Sequence, residues 1–437
     1  MGEISPVQRL GRCYKWSFVP QWAITLEPPA GIVLSMEDKQ RTRIIMAACA
    51  LTLLAGLNTG WTGPLIPKIA QSKGIDLGLA GSIVSVSASG SMLMLLLGKI
   101  ICEKLGSRNS LRLAAVIAGA GMVTIAFGPG LFVLALGAFI VGCGTGLNSI
   151  ASTTSVLLSD TASSAAALNR VNLFFGIGAL AGPLIAWAGL SSEWSYHVVY
   201  LFGAAFAFTC ALLLKIQNPG KKYVAESVPV TGNIKQPVLW LFALVIYMYV
   251  GMEVSSAAWL FTFLQKYSAL DLALASISMT VLWGGLTLGR TISVFLCDRY
   301  SSVKITLLGM ALAATSLLTL ACFSSLGLGT LFIVLLLGLG FGPIFPNVLA
   351  AANEHFMPDT TTTSSVVISS GAVGGITLPL LAGYGFTHLS WQVGMLFLFA
   401  VCGSMLTLYL VLLKIISKKS SADKIEFESQ DLPVIGV

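Results

Sequence analysis

The chain has 437 residues, of which 56% are apolar and only 10% charged, with a mean hydropathy of +0.87; ordinary soluble domains run at about 45–50% apolar and about 25% charged. So thin a cover of charge excludes a soluble enzyme, a nucleic-acid binder and a disordered scaffold, and leaves a polytopic helical membrane protein. The net charge of +7 therefore carries meaning through the loops that hold it, and no nucleic-acid partner is expected.

Residues 1–35 fit neither a signal peptide nor a transit peptide. Their apolar patches between Phe18 and Leu34 are broken by Pro20, Pro28 and Pro29, so no continuous apolar region forms. They read as a disordered extension or as sequence ahead of the true start, with Met36-Glu37-Asp38-Lys39-Gln40 as an ordinary cytoplasmic beginning. A crossing needs about 20 apolar residues. By that measure six spans lie near 44–66, 78–100, 111–128, 131–155, 168–188 and 197–215. Six more lie near 237–264, 272–296, 304–323, 328–352, 363–387 and 391–414. The expected fold is all-α, with twelve transmembrane helices as two pseudo-symmetric six-helix bundles, 44–215 and 237–414. A cytoplasmic extension 1–43, a cytoplasmic loop 216–236 and a tail 415–437 flank them.

The basic residues divide by side. Lys68, Lys73 and Lys266 fall on one face, Arg290 falls inside the eighth span, and the other 21 of the 25 fall on the face of both termini. The positive-inside rule makes that face cytoplasmic, and a plasma or inner membrane is expected. The eight cysteines are scattered singly and His197, His355 and His388 lie far apart, so no metal centre and no cofactor are expected. There is no Walker loop and no nucleophile–base pair, which argues against an enzyme and against ATP-driven transport.

The halves repeat. Gly142-Cys143-Gly144-Thr145-Gly146 of the fourth span matches Gly338-Leu339-Gly340-Phe341-Gly342 of the tenth, 196 positions on. Gly178 and Pro183-Leu184 match Gly374 and Pro379-Leu380 at the same offset, and Glu103-Lys104 matches Asp298-Arg299 at 195. Twelve spans, duplicated halves, a basic central loop and these acidic-basic turns resemble the major facilitator superfamily over about residues 44–414. The turn Glu103-Lys104-Leu105-Gly106-Ser107-Arg108 is similar to that family's acidic-basic-x-Gly-basic-basic signature, with Gly98 one residue early and Ser107 in place of a basic residue. Four stretches are similar to the branch that moves fucose, galactose and glucose. They are Phe174-Phe175-Gly176-Ile177-Gly178-Ala179, Gly251-Met252-Glu253-Val254 with Trp259, Trp283-Gly284-Gly285 with Gly289-Arg290, and Gly342-Pro343-Ile344-Phe345-Pro346.

The resemblance implies a monomeric secondary transporter working by alternating access, with a sugar or similar small polar solute as cargo and proton symport as its coupling. Uniport stands close behind. Gly178-Ala179-Leu180-Ala181-Gly182-Pro183 resembles part of a drug antiporter's signature, but Ala186-Trp187 breaks its glycine pair. A membrane sensor or scaffold would be expected to carry a larger soluble part. The resemblance also implies a cytoplasmic gate formed by Glu103, Lys104, Arg108, Arg170, Asp298 and Arg299.

Glu253 is the one carboxylate of eighteen well inside a span, where a charge costs about 2.5–3.5 kcal/mol, so function is the default expectation. It is the candidate for proton coupling, with a structural bond to a neighbouring helix as the plainer alternative. Arg290 lies about 10 Å from the cytoplasmic edge at 1.5 Å per residue, and Glu253 about 10–15 Å higher. That separation argues against a salt bridge and places Arg290, snorkelling, in the gate. Indoles and amides suit the apolar faces and hydroxyl edges of sugars, which makes Asn58, Trp61, Asn148, Asn172, Glu253, Trp259 and Trp283 the candidate solute contacts. Trp61 and Trp259, 198 apart, are expected in near-equivalent places in the two halves; packing is the plainer role for the tryptophans.

Overall fold

The computed structural model describes residues 36–159, 164–191, 196–214, 232–297, 299–323, 326–357 and 360–430. Twelve helices long and apolar enough to cross a membrane occupy them. The first six are α1 Met36–Lys73, α2 Leu77–Leu105, α3 Ser107–Phe127, α4 Leu131–Ser159, α5 Ser164–Ser191 and α6 Tyr196–Leu213. The second six are α7 Pro237–Lys266, α8 Leu272–Cys297, α9 Ser302–Cys322, α10 Gly329–His355, α11 Thr360–Tyr384 and α12 Trp391–Gln430. No strand occurs among the described residues. The extension 1–35, most of the central loop and Asp298 lie outside them.

Two helices depart from the expected spans. Past residue 414, α12 continues to Gln430, because no proline or glycine interrupts the sequence before Pro433. In α10 the helix divides into Gly329–Phe341 and Ile344–His355. Pro343 has no amide hydrogen to give the preceding turn, and its ring crowds that turn's carbonyl.

The duplication extends to helix ends and contacts. Asp76 caps α2, its carboxylate accepting from the Gly78 and Leu79 amides at 2.8 and 3.2 Å. Asp271, 195 positions on, caps α8 by accepting from the Leu274 amide at 2.7 Å. Between α2 and α3, Gly106 takes φ 77° and ψ 156°, a conformation open essentially to glycine alone, and so turns the chain with no further residue.

Inside each half the helices pair alike: α1 with α5, α2 with α4, α3 with both α4 and α6; then α7 with α11, α8 with α10, α9 with both α10 and α12. Glycines set the register. Gly178 lies against the Leu53 carbonyl and Gly374 against that of Tyr247, an offset of 194 between α1 and α7. Gly142 lies on the Ser87 carbonyl and Gly338 on that of Leu282, and Gly144 meets Ala118 as Gly340 meets Ala313; the partner residues are offset by 195 while the glycines are offset by 196. A Cβ at any of these positions would overlap a neighbouring backbone. The glycine strips are thus helix-packing surfaces, which lipid-embedded bundles need because burial between apolar helices supplies little drive of its own.

Between the halves, α2 packs on α11, α5 on α8 and α1 on α7. Several of these contacts lie toward the end that bears Lys68, Lys73 and Lys266. Gly63 abuts the Ala257 carbonyl, Gly78 abuts Thr387, and the Trp259 ring lies over both Gly81 and Gly383.

Candidate functional site

Between the halves lies a cavity of about 440 Å³. Its N-terminal wall sets hydroxyls and amides (Thr52, Asn58, Thr59 and Thr62 of α1, Ser87 and Ser91 of α2, and Thr145, Asn148, Ser149, Ser152 and Thr153 of α4) among apolar residues such as Ala55, Val84, Leu95 and Phe175. The C-terminal half gives Val254, Ala257 and Ala258 of α7 and Trp283 of α8. No carboxylate, lysine, arginine or histidine lines it among the described residues.

Much of the polar wall is bonded internally. The Asn148 amide nitrogen donates to Thr52 Oγ1 at 3.3 Å and its oxygen accepts from Ser152 Oγ at 3.0 Å. Ser91 Oγ donates to the Gly142 carbonyl at 3.0 Å, and Thr59 and Thr62 bond back to the carbonyls of Ala55 and Asn58. Four groups stand apart. The Asn58 side-chain amide, the Ser87 and Ser149 hydroxyls and Trp283 Nε1 border the cavity with no hydrogen-bond partner among the described residues. Trp283 Nε1 is buried, and a buried donor without a partner is costly.

A charged pair lies in the C-terminal half. Arg290 Nη2 is 4.0 Å from Glu253 Oε1, the side chains being 46% and 17% exposed. The expected gap between them is corrected by side-chain direction. In an α-helix every Cα–Cβ bond tilts toward the N-terminus, and α7 and α8 run antiparallel. Glu253 therefore leans down its helix while Arg290, the longer chain, leans up. Arg290 thus stands with Glu253 rather than snorkelling toward the charged turns. The Tyr249 hydroxyl sits beside both charges without a hydrogen bond of regular geometry. Its ring meets Phe341 edge-on at 6.2 Å and Phe345 at 6.3 Å. Gly342 presses on the Gly289–Arg290 backbone, so the pair adjoins the break in α10. By the glycine register, Glu253 and Arg290 occupy the places of Thr59 and Leu95, and both of those line the cavity.

The sequence model of the Major Facilitator Superfamily matches residues 48–369. This chain belongs to that superfamily. It is 21% identical over 409 residues to Bypass of stop codon protein 6 of Saccharomyces cerevisiae, covering 84% of this chain and 80% of the relative. It is also 21% identical over 343 residues to the glucose/mannose transporter GlcP of Bacillus subtilis, covering 75% of this chain and 84% of that one. Among solved structures, the nucleoside transporter NupG superposes with a TM-score of 0.71 at 15% identity, over 86% of this chain and 99% of NupG. The chain is a multi-pass membrane transporter and not an enzyme.

The candidate residues of this transporter divide accordingly. Asn58, Asn148 and Trp283 border the cavity. Trp61 does not: it is fully buried, edge-on to Tyr200 at 6.1 Å and laid over Gly203. Trp259 packs between α2 and α11 and donates through Nε1 to the Pro379 carbonyl at 3.0 Å. Their expected equivalence fails because the true register of α1 and α7 is 194, which sets them about one turn apart. The side chains of Asn172 and Arg170 lie outside the described residues. Glu103, Lys104 and Arg108 sit at the α2–α3 turn, and Arg299 sits in the α8–α9 turn. The hydroxyls of α2 and α4 escaped the sequence reading, since serine and threonine are common in spans and only their shared facing marks them.

Proposed function

We propose that this transporter carries a neutral polyhydroxylated solute, a hexose first, by alternating access between its two halves. The observation that carries the proposal is a cavity edged by amides, hydroxyls and an indole, with no charged side chain among its described lining. A charged solute there would lose its hydration without gaining a counter-charge, whereas sugar hydroxyls find donors and acceptors and the ring face finds Trp283. The relative named as a glucose/mannose transporter points the same way, and the lack of an acid among the described lining disfavours a lipophilic cation.

In this proposal the protein works as a monomer with both termini cytoplasmic, in a plasma or inner membrane. The contacts of Trp259, Gly63 and Gly78 close the outer end, and the cavity faces the cytoplasm. Glu103, Lys104, Arg108, Arg170, Asp298 and Arg299 latch the inner end in the opposite state. Glu253 takes the coupling proton: the protonated acid releases Arg290, and the freed charge resets the wall beside the α10 break. Purified protein in proteoliposomes tests this. Inward glucose movement should alkalinise the medium, while uptake without proton movement means uniport, and proton-driven efflux of a lipophilic cation in place of sugar sinks the proposal.

A further inference from the structure

We propose that one contact sets the balance between the two facing states: the indole of Trp259, seated in a slot that Gly81 leaves open on the opposite half. This rests on the alternating access proposed above and is independent of the solute. Trp259 of α7 is 1% exposed, and its own half holds the ring through three contacts. Nε1 donates to the Pro379 carbonyl of α11 at 3.0 Å, Phe386 packs tilted against the ring at 5.8 Å, and Gly383 lies against its six-membered edge. Phe386 in turn packs against Trp391 at 5.7 Å and Phe263 at 6.2 Å. The fourth contact is Gly81 of α2, in the N-terminal half.

A Cβ at Gly81 would overlap Cζ2 and Cη2 of the indole. A ring so anchored turns aside only by giving up its hydrogen bond and its aromatic contact, and close-packed interiors transmit such strain rather than absorb it. Because the contact joins the two halves, it is relieved when the end that bears Lys68, Lys73 and Lys266 parts. Gly63 and Gly78 meet the C-terminal half in the same way, at the Ala257 carbonyl and at Thr387. Their counterparts across the duplication are not glycine. With offsets of 194 for α1 and α7 and 195 for α2 and α8, Gly63, Gly78 and Gly81 fall at Ala257, Ala273 and Ser276, and Trp259 falls at Leu65. The glycines that hold each bundle together are repeated because both bundles need them. A ring and a slot that occur once answer to no such need, and their place is the contact between halves.

The test is the distance across that end, read by electron–electron double resonance between spin labels at Lys68→Cys and Lys266→Cys, both exposed positions. It uses the full chain in lipid nanodiscs with the native cysteines replaced by alanine. Gly81→Ala is expected to stay monodisperse and to lower the ratio of short to long distance at least tenfold. In a Trp259→Leu background the same substitution should change that ratio less than twofold, because the added methyl group no longer meets a ring. A Gly81→Ala distribution that matches the unmodified protein, with both distances present, overturns the lock and leaves alternating access standing. A tenfold change that persists without the indole, or loss of folded protein in Gly81→Ala, also overturns it. One unvarying distance in every variant removes alternating access and the lock together.

Discussion

The N-terminal and C-terminal halves share helix pairing, capping aspartates and glycine contacts, yet differ where they face one another. The N-terminal half sets neutral hydroxyls and amides among apolar side chains along the cavity, beside an unbroken α4. The C-terminal half lines it with Val254, Ala257, Ala258 and Trp283 and holds Glu253 and Arg290, off the described lining, at the counterparts of Thr59 and Leu95, beside an α10 that breaks at Pro343. The duplicated features are those that packing demands. The divergent ones are those that the proposed cargo and coupling proton would use, so comparing the halves separates scaffold from proposed machinery.

The largest effects should be symmetric. Gly142→Val and Gly338→Val each drive a side chain into a partner backbone and are expected to cost about 3 kcal/mol or more. Both should abolish monodisperse protein on gel filtration; tolerance in one half alone would break the equivalence. Next comes the Glu253–Arg290 ion pair of the C-terminal half. Arg290→Ala should cost about 1–3 kcal/mol, below the ~3–5 kcal/mol of a fully buried pair because Arg290 is half exposed. Adding Glu253→Gln should recover part of that loss in thermal unfolding, whereas Thr59→Val and Leu95→Met should combine additively.

The fold was legible in the sequence because hydropathy and repeated glycine need no knowledge of facing. Twelve spans and the six-and-six division required only length and apolar content, and the offset of 196 came from the Gly142 and Gly338 strips. Facing was the part that stayed hidden. A drift of two residues in register, from 196 to 194 at α1 and α7, made Trp61 and Trp259 look equivalent when they pack on different helices. Counting backbone rise alone likewise hid the Glu253–Arg290 pair, since antiparallel helices lean their side chains toward each other. Asn58 and Trp283 were legible as polar groups in spans, but their lack of partners appears only in three dimensions.

Smaller effects belong to the binding wall. Asn58→Ala and Trp283→Phe should each remove one proposed hydrogen bond to solute, worth about 1 kcal/mol. Each should raise the KM for glucose about fivefold with little change in turnover, measured as initial uptake rates. The smallest effect is expected at Trp61, whose ring packs and whose Nε1 has no hydrogen-bond partner among the described residues. Trp61→Phe should cost less than about 1.5 kcal/mol in stability and leave the glucose KM within twofold; a larger rise in KM would return Trp61 to the binding site.

The division of labour between the walls is tested most directly by glucose counterflow and proton-driven accumulation in the same proteoliposomes bearing Glu253→Gln. Counterflow that persists while uphill accumulation is lost is the predicted result. Accumulation that survives the substitution, or counterflow that vanishes with it, would contradict a neutral wall that reads the solute and an acid that couples the proton.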